Sequence, residues 1–402
     1  MKNYLLIANL FLLFTTLVYS QENNIKTTNF GKGILNIVGK DSTWSMNFSA
    51  RMQILSTSAW DVVDDKLTNP SQDFLLRRSR LKFNGFAYSP KLTYKMEIGL
   101  SNTDISGGSE FTGNTPRYVY DAVIMWNFYK NLELWAGQTK LPGNVERVIS
   151  SGNMQLVDRS LLNGEFNIDR DMGIQLRNHF TIGKEFLIRQ KFAISQGEGR
   201  NVTTGNLGGH QYTTRIEFLP FGEFTKDGDY SGGDLKREIT PKLSVASTYD
   251  FNNNAVKTKS NQGNWMFTDL GFYETNIKTL FVDAMFKYRG FSFMGEFADR
   301  KASDPIAKNS DGTLTGDVVH VGQSYNLQTG YLFKNNYEIA TRFTQLKLDK
   351  VITGKNLKKQ FTFGVSKYIV GHKLKIQSDV SYLGVENASD EIMWRLQMDL
   401  HF

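Results

Sequence analysis

EIMWRLQMDLHF, residues 391–402, alternates with a period of two. Ile392, Trp394, Leu396, Met398, Leu400 and Phe402 fall on one face. Met393, Arg395, Gln397, Asp399 and His401 fall on the other. That period is the signature of a β-strand whose faces meet different surroundings, here lipid or a core on one side and water on the other. Taken alone, the segment also suits an ordinary sandwich strand. In a closed barrel a last strand of this kind pairs with the first and removes the free sheet edge. Its terminal aromatic, Phe402, is the kind of signal that the outer-membrane barrel-assembly machinery reads.

The same alternation recurs along the chain. Trp44–Ser56 sets Trp44, Met46, Phe48, Ala50, Met52 and Ile54 against Ser45, Asn47, Ser49, Arg51 and Gln53. Phe74–Ala87, Leu92–Ser101, Tyr212–Leu219 and the segments from Lys242 to Tyr382 behave alike. Tyr118–Asn127 and Leu132–Lys140 are less regular, and their faces stay unassigned. About 16 strands result, the size at which a membrane barrel keeps an aqueous channel. Tight turns such as Tyr88–Lys91, Phe128–Asn131 and Arg289–Gly290 alternate with long links: Thr57–Asp73, Asn102–Arg117, Leu141–Arg170, Gly197–His210, Asn252–Thr275 and Asp299–Gly322. Short periplasmic turns and long outer loops give this rhythm. The expected fold is an all-β transmembrane antiparallel up-and-down β-barrel. A soluble all-β protein would leave most of the aromatic faces in water.

Composition agrees. Only 40% of residues are hydrophobic, yet 13% are aromatic and 35 are Gly, a mix that fits many strands, many turns and aromatic belts at the membrane boundaries. There is no Cys, which excludes disulfides, thiolate metal sites and a lipoprotein anchor. Residues 1–20 read as a cleaved signal peptide: Lys2, an apolar run from Leu5 to Val18, then Val18 and Ser20 before a cut at Gln21. Residues 21–43 follow as a periplasmic lead-in, and 44–402 as the barrel. Loss of Lys2 lowers the net charge from +7 to +6, compatible with anion traffic. No later run is long and apolar enough for a membrane helix, so any crossing is made by strands.

Three blocks carry a resemblance to a known family. DFLLRRSRLKFNGFAYSPKLTYKMEIGLS (Asp73–Ser101), LWAGQTKLPGNVERVISSGNMQLVDRSLLN (Leu134–Asn163) and DMGIQLRN (Asp171–Asn178) resemble the phosphate-selective porin O/P family, as does YTTRIEFLPFGEF with the GDY and PKLSVASTYDFNNN segments behind it. The likeness runs from about Trp44 to the C-terminus. It implies a 16-stranded, trimeric outer-membrane porin of a Gram-negative bacterium, with anion or phosphate selectivity in its best-known members. It also implies that the third outer loop, here Leu141–Asp169, folds inward as a constriction. Relatives commonly carry Pro-Phe at its base, where this chain has Pro142-Gly143.

A selective anion pore needs fixed positive charge facing a narrow aqueous path. Alternation points Arg51, Arg80, Lys82, Lys95, Arg177, Arg215, Arg342 and Arg395 inward, and Lys140, Arg147, Arg159 and Arg170 flank or sit in the constriction loop. Arginine can hold a phosphate bidentately, whereas lysine acts as a point charge. Glu97, Asp121, Glu217, Asp283, Glu296, Glu338, Asp379 and Asp399 also point inward, so the lumen charge is mixed. The bland alternative for each cation is a solvated lumen residue with no selective role.

Pro220–Lys242 breaks the rule of short periplasmic turns. Within it Asp227, Asp229, Ser231, Gly232 and Glu238 have the spacing of a calcium loop, but no helices flank them and Asp234 stands where an aliphatic is favoured. The stretch reads as an acidic turn, with no metal and no cofactor. The five His show no HExxH spacing, there is no GxxxxGK loop, and no motif points to nucleic acid. The expected function is passive diffusion of small anions, phosphate and polyphosphate among them, rather than catalysis. The alternatives are a general diffusion channel and a non-conducting scaffold or adhesin that binds partners through its outer loops. The expected partners are outer-membrane lipid, small anions, the barrel-assembly machinery and two further copies in a homotrimer.

Overall fold

The computed structural model describes residues 28–402. The leader expected at 1–20 and lead-in residues 21–27 lie outside them. The sixteen barrel strands are β1 Ser45–Val63, β2 Lys66–Ala87, β3 Ser89–Gly99, β4 Val119–Tyr129, β5 Leu132–Lys140, β6 Arg170–Ile182, β7 Phe186–Ser195 and β8 Gln211–Leu219. They continue as β9 Lys242–Ala255, β10 Thr275–Tyr288, β11 Phe291–Ala302, β12 Gly322–Leu332, β13 Tyr337–Leu348, β14 Lys358–Tyr368, β15 Leu374–Val385 and β16 Asp390–His401. Each pairs antiparallel with its neighbours in sequence order. The barrel closes where β1 meets β16, from Arg51 opposite His401 to Val62 opposite Asp390. Closure satisfies every inner strand edge, which a sheet in lipid requires. A short lead-in strand, Leu35–Val38, pairs with the start of β1.

The closing strand has the two faces its sequence predicts. Trp394, Leu396 and Met398 are exposed outward, whereas Arg395, Gln397 and Asp399 are buried in the lumen. Similar alternation holds in β7 to β15, where outward residues such as Phe192, Leu280, Leu327, Phe363 and Val380 form the lipid face.

The link expected at Thr57–Asp73 is instead a continuation of β1 and β2. Thr57 pairs with Asp73 and Val63 with Lys66. The turn is only Asp64 and Asp65, both at positive φ, the conformation that a tight hairpin matched to strand twist requires. Register shifts between Gln53 and Ile54 and between Ala59 and Asp61 break the period of two, which hides the strands from a pattern search. Apart from the short turn at residues 386–389, the outer ends of the other hairpins carry longer loops.

Leu141–Asp169 folds into the barrel. It contains two short helices, Val145–Val148 and Leu161–Phe166. Leu141, Leu162, Phe166 and Ile168 pack with Phe281 of β10, Ala298 of β11 and Leu346 of β13. Val145, Ile149 and Met154 pack with Leu187, Leu219, Met285 and Met294 of the wall and with Phe224 of the periplasmic link. The lumen is therefore filled on one side and open on the other.

Candidate anion path

The open side is a cavity of about 650 Å³. Its lining runs from Arg117 and Gln262 in the outer loops to Asn131, Glu223 and Asp227 in the periplasmic turns. β2 to β7 form its wall, and Arg147 and Arg159 of the inward loop face that wall. Thirteen of the lining residues are Arg or Lys and six are Asp or Glu, so the path carries an excess of positive charge.

Eight of the twelve cations expected from the sequence line this cavity: Arg80, Lys82, Lys95, Lys140, Arg147, Arg159, Arg170 and Arg177. The other four face inward but lie off the path, and all four brace the loop. Arg51 Nη1 donates to Ser151 Oγ at 2.7 Å, and Arg215 Nη1 to the Gly143 carbonyl at 3.1 Å. Arg342 Nη1 donates to the Asp158 carbonyl at 2.7 Å, and Arg395 lies 3.9 Å from the Asp158 carboxylate. Three also hold wall carboxylates: Arg51 with Asp399, Arg215 with Asp283 and Glu217, and Arg395 with Asp379. Alternation finds the inward face, but it cannot say which part of that face the loop will cover.

Five lining cations were not singled out from the sequence: Arg78, Arg117, Arg189, Lys191 and Arg200. Arg189 and Lys191 follow from simple alternation with buried Ala193 and Ser195 in β7. Arg78 does not. Gln53 pairs with Arg78 and Ile54 with Leu76, leaving Arg77 as the extra residue of a bulge. Arg77 and Arg78 can therefore both reach inward, and Arg77 Nη2 donates to Asp158 Oδ2 of the loop at 2.7 Å. A second irregularity, between Glu97 and Ile98 of β3, puts consecutive Tyr120 and Asp121 of β4 on the buried side. It explains why the faces of that strand could not be read.

The path cations fall into two groups. Arg80, Lys95, Arg147 and Arg170 are paired with Glu97, Asp104, Asp121 or Asp169. Arg189 and Lys191 are paired too, with Asp229 and Glu217, and several of the rest bond to neutral acceptors. Lys140 Nζ donates to the carbonyls of Arg147 and Val148 at 2.8 and 3.1 Å. Arg159 donates to those of Glu146 and Ile149, Arg177 to Gln175 Oε1, and Arg200 to the carbonyls of Asp104 and Arg117. Neutral partners orient a cation without cancelling its charge. Aromatic faces help to hold the guanidinium planes: Arg80 and Arg200 lie 4.0 and 3.9 Å from the Tyr120 ring centroid, and Arg177 3.5 Å from that of Trp135. In the loop, burial alone would raise the Asp158 carboxyl, but Arg77, Arg78 and Arg395 outweigh it and hold the group at about 2.

Pro142-Gly143 has a steric reason. A Cβ at Gly143 would stand 2.7 Å from Ile168 Cγ1, so Ile168 occupies the space that a larger residue would need. The acidic periplasmic link, residues 220–241, folds up against the loop. Gly232 N donates to the Asn153 carbonyl at 2.6 Å, and Lys287 Nζ to the carbonyls of Gly228 and Ser231. Its carboxylates go to separate partners, Asp229 to Arg189 and Glu238 to Thr225. Among the described residues no group of three or more His, Cys, Asp or Glu side chains is arranged to hold a metal.

Comparison with known proteins agrees with this architecture. The model of the family described as phosphate-selective porin O and P matches residues 55–391. An uncharacterized protein of Aquifex aeolicus (strain VF5) is 24% identical over 361 residues, 82% of this chain and 81% of its own length. The outer membrane channel DcaP of Acinetobacter baumannii superposes with a TM-score of 0.56 at 12% identity, covering 91% of this chain and 99% of that one. The anion-selective porin from Comamonas acidovorans gives 0.53 at 12%, covering 89% and 100%. The protein is an outer-membrane β-barrel, and its chain belongs to the phosphate-selective porin O and P family.

Proposed function

We propose that the protein conducts small anions, phosphate among them, by passive diffusion along the cavity between β2–β7 and the inward loop. The observation that carries this reading is the excess of lining cations, several of them bonded to neutral groups rather than to carboxylates. Such charges attract an anion, and the aqueous path lets it leave again. The porin from Comamonas acidovorans, which shares the barrel architecture, is described as anion-selective. The reading includes a leader cleaved before Gln21, insertion by the assembly machinery through the strand ending at Phe402, and a homotrimer in a Gram-negative outer membrane.

The test is the reversal potential of the refolded protein in a planar bilayer under a KCl gradient, with phosphate then added. Chloride preference, and current blocked by low phosphate, are expected. Conductance without ion preference or block would make it a general porin, which the paired cluster of Lys95, Glu97, Asp121 and Arg170 would suit. A folded barrel with no conductance would overturn the transport reading.

A further inference from the structure

The outward face of β10 to β14 differs from the rest of the membrane surface. Near its outer end, Lys278 of β10 stands directly opposite Lys301 of β11. Both are exposed, and the Lys301 side chain keeps 77% of its surface open. Lys347 of β13 and Lys359 of β14 lie further round the same rim, both outward and exposed. Asp299, 3.6 Å from Lys301, and Asp349, just beyond Lys347, are carboxylates at this rim. Like charges placed opposite each other across two strands destabilise a sheet unless an anion lies over them. The outer ends of β15, β16, β1 and β2 have the opposite character, with Asp61, Asp64, Asp65, Asp390 and Glu391 beside Lys66.

Beneath the lysines lies a groove of about 730 Å³. Its floor is the directly paired Thr329 and Thr341, and Phe293, Leu327, Phe343 and Phe361 stand around it. Gln345 pairs with Lys359, and Phe343 with Phe361, two residues further into the membrane. At about 3.4 Å per residue, the groove begins roughly 7 Å below the lysine level. Small side chains in a row of large aromatic ones make the depression. The order from the rim inward is therefore cation, aromatic, cleft.

We propose that this face binds a phosphorylated lipid of the outer leaflet, the lysines holding its headgroup phosphate and the groove receiving an acyl chain. A phosphate monoester carries more than one negative charge and three acceptor oxygens, enough to bridge lysines on neighbouring strands. Basic clusters at a membrane surface attract anionic headgroups in this way. The acidic rim of β15 to β2 repels the same headgroup and confines the site to one side of the barrel. The proposal rests on the barrel and its orientation, not on what passes through the lumen.

The experiment uses the refolded full barrel in phosphatidylcholine nanodiscs, titrated with fluorescent lipid A bisphosphate and with its dephosphorylated form. Wild type is expected to bind the bisphosphate about tenfold more tightly. The double variant K347E/K359E should abolish that preference, and T341W, which fills the groove, should weaken both forms. Heat-modifiable migration on gels verifies that each variant is a folded barrel. Equal binding of the two lipids by wild type, or a preference that survives K347E/K359E, would overturn the proposal. Displacement of the lipid by inorganic phosphate would instead make this a free-anion site. Disulfide-linked copies formed by T341C in the membrane would show that a second copy occupies the groove. Either result would overturn the lipid assignment.

Discussion

Arg51 and Asp399 join the first barrel strand to the last through a two-point ion pair, Nε to Oδ1 at 2.9 Å and Nη2 to Oδ2 at 2.8 Å, with both side chains buried. The pair spans the seam that closes the barrel. Asp399→Asn leaves Arg51 without its charge partner, and breaking a buried pair in this way costs about 3 kcal/mol. The expected result is a lower urea midpoint for unfolding from lipid and a lower temperature for loss of the compact gel band. An unchanged midpoint would mean that the strand pairing alone holds the seam.

Lys82 and Arg215 separate the two kinds of lumen cation. Lys82 lines the path, whereas Arg215 is engaged with Asp283, Glu217 and the loop. A unit charge about 10 Å from a permeating ion in a water-like dielectric is worth roughly 0.4 kcal/mol, about a twofold change in ion preference. Lys82→Ala should therefore lower the chloride-to-potassium permeability ratio about twofold and leave stability near wild type. Arg215→Ala should lower stability and change selectivity less. Reversal potentials and unfolding midpoints, measured on both variants, decide the matter.

Asp158 ties the inward loop to Arg77 of β2. Asp158→Asn removes a negative charge and releases Arg77, so anion preference should rise and open-channel current noise should increase as the loop loosens. In wild type this carboxyl sits at about 2, below its ordinary 3.8. Its contribution to stability is present above pH 3.8 and is lost only as pH falls through 2. The loop's tie to β2 should accordingly persist from neutral pH down to pH 4, which crosslinking between cysteines placed on the two segments can follow.

Glu198, in the outer link between β7 and β8, behaves in the opposite sense. Burial, aided by the charge of Asp171, pushes its carboxyl up to about 7 from the ordinary 4.5. The folded loop holds this proton more tightly than the unfolded one, so the stabilisation is full below pH 4.5 and is lost as pH rises through 7. Hydrogen exchange of residues 196–210 should accelerate between pH 5 and pH 8 beyond the intrinsic increase. Glu198→Gln should flatten that dependence. Arg200 of the same loop lines the anion path, so a pH-dependent conductance should accompany the change.

Most of the barrel could be read from local pattern. β16 has its two faces on the page, and the alternation of short and long connections orients the chain. What escaped did so for identifiable reasons. A bulge adds one residue and inverts the parity of everything beyond it, which concealed Arg77 with Arg78 and Tyr120 with Asp121. The hairpin tip at Asp64–Asp65 lies beyond two such irregularities. The inward loop was located by its resemblance to a family. The wall it leans on was not, because that choice depends on Phe281, Ala298 and Leu346, far away in sequence. For the candidate site, parity points to Arg80, Lys82, Lys95 and Arg177, and the place of the loop to Lys140, Arg147, Arg159 and Arg170, but only tertiary packing separates these eight from the four that brace the loop.

The one-sided filling of the lumen divides the barrel into a keel and a working bank. Residues on β8 to β16 and on β1 hold most of the loop, and a change there tends to disturb the whole molecule. On β2 to β7 the lining residues face water across the path, and a few, such as Arg77, Lys140 and Leu187, also touch the loop. A chain built in this way can alter what it passes by exchanging side chains along one bank while the keel stays as it is. Divergent relatives could thus differ in their cargo and still share one barrel.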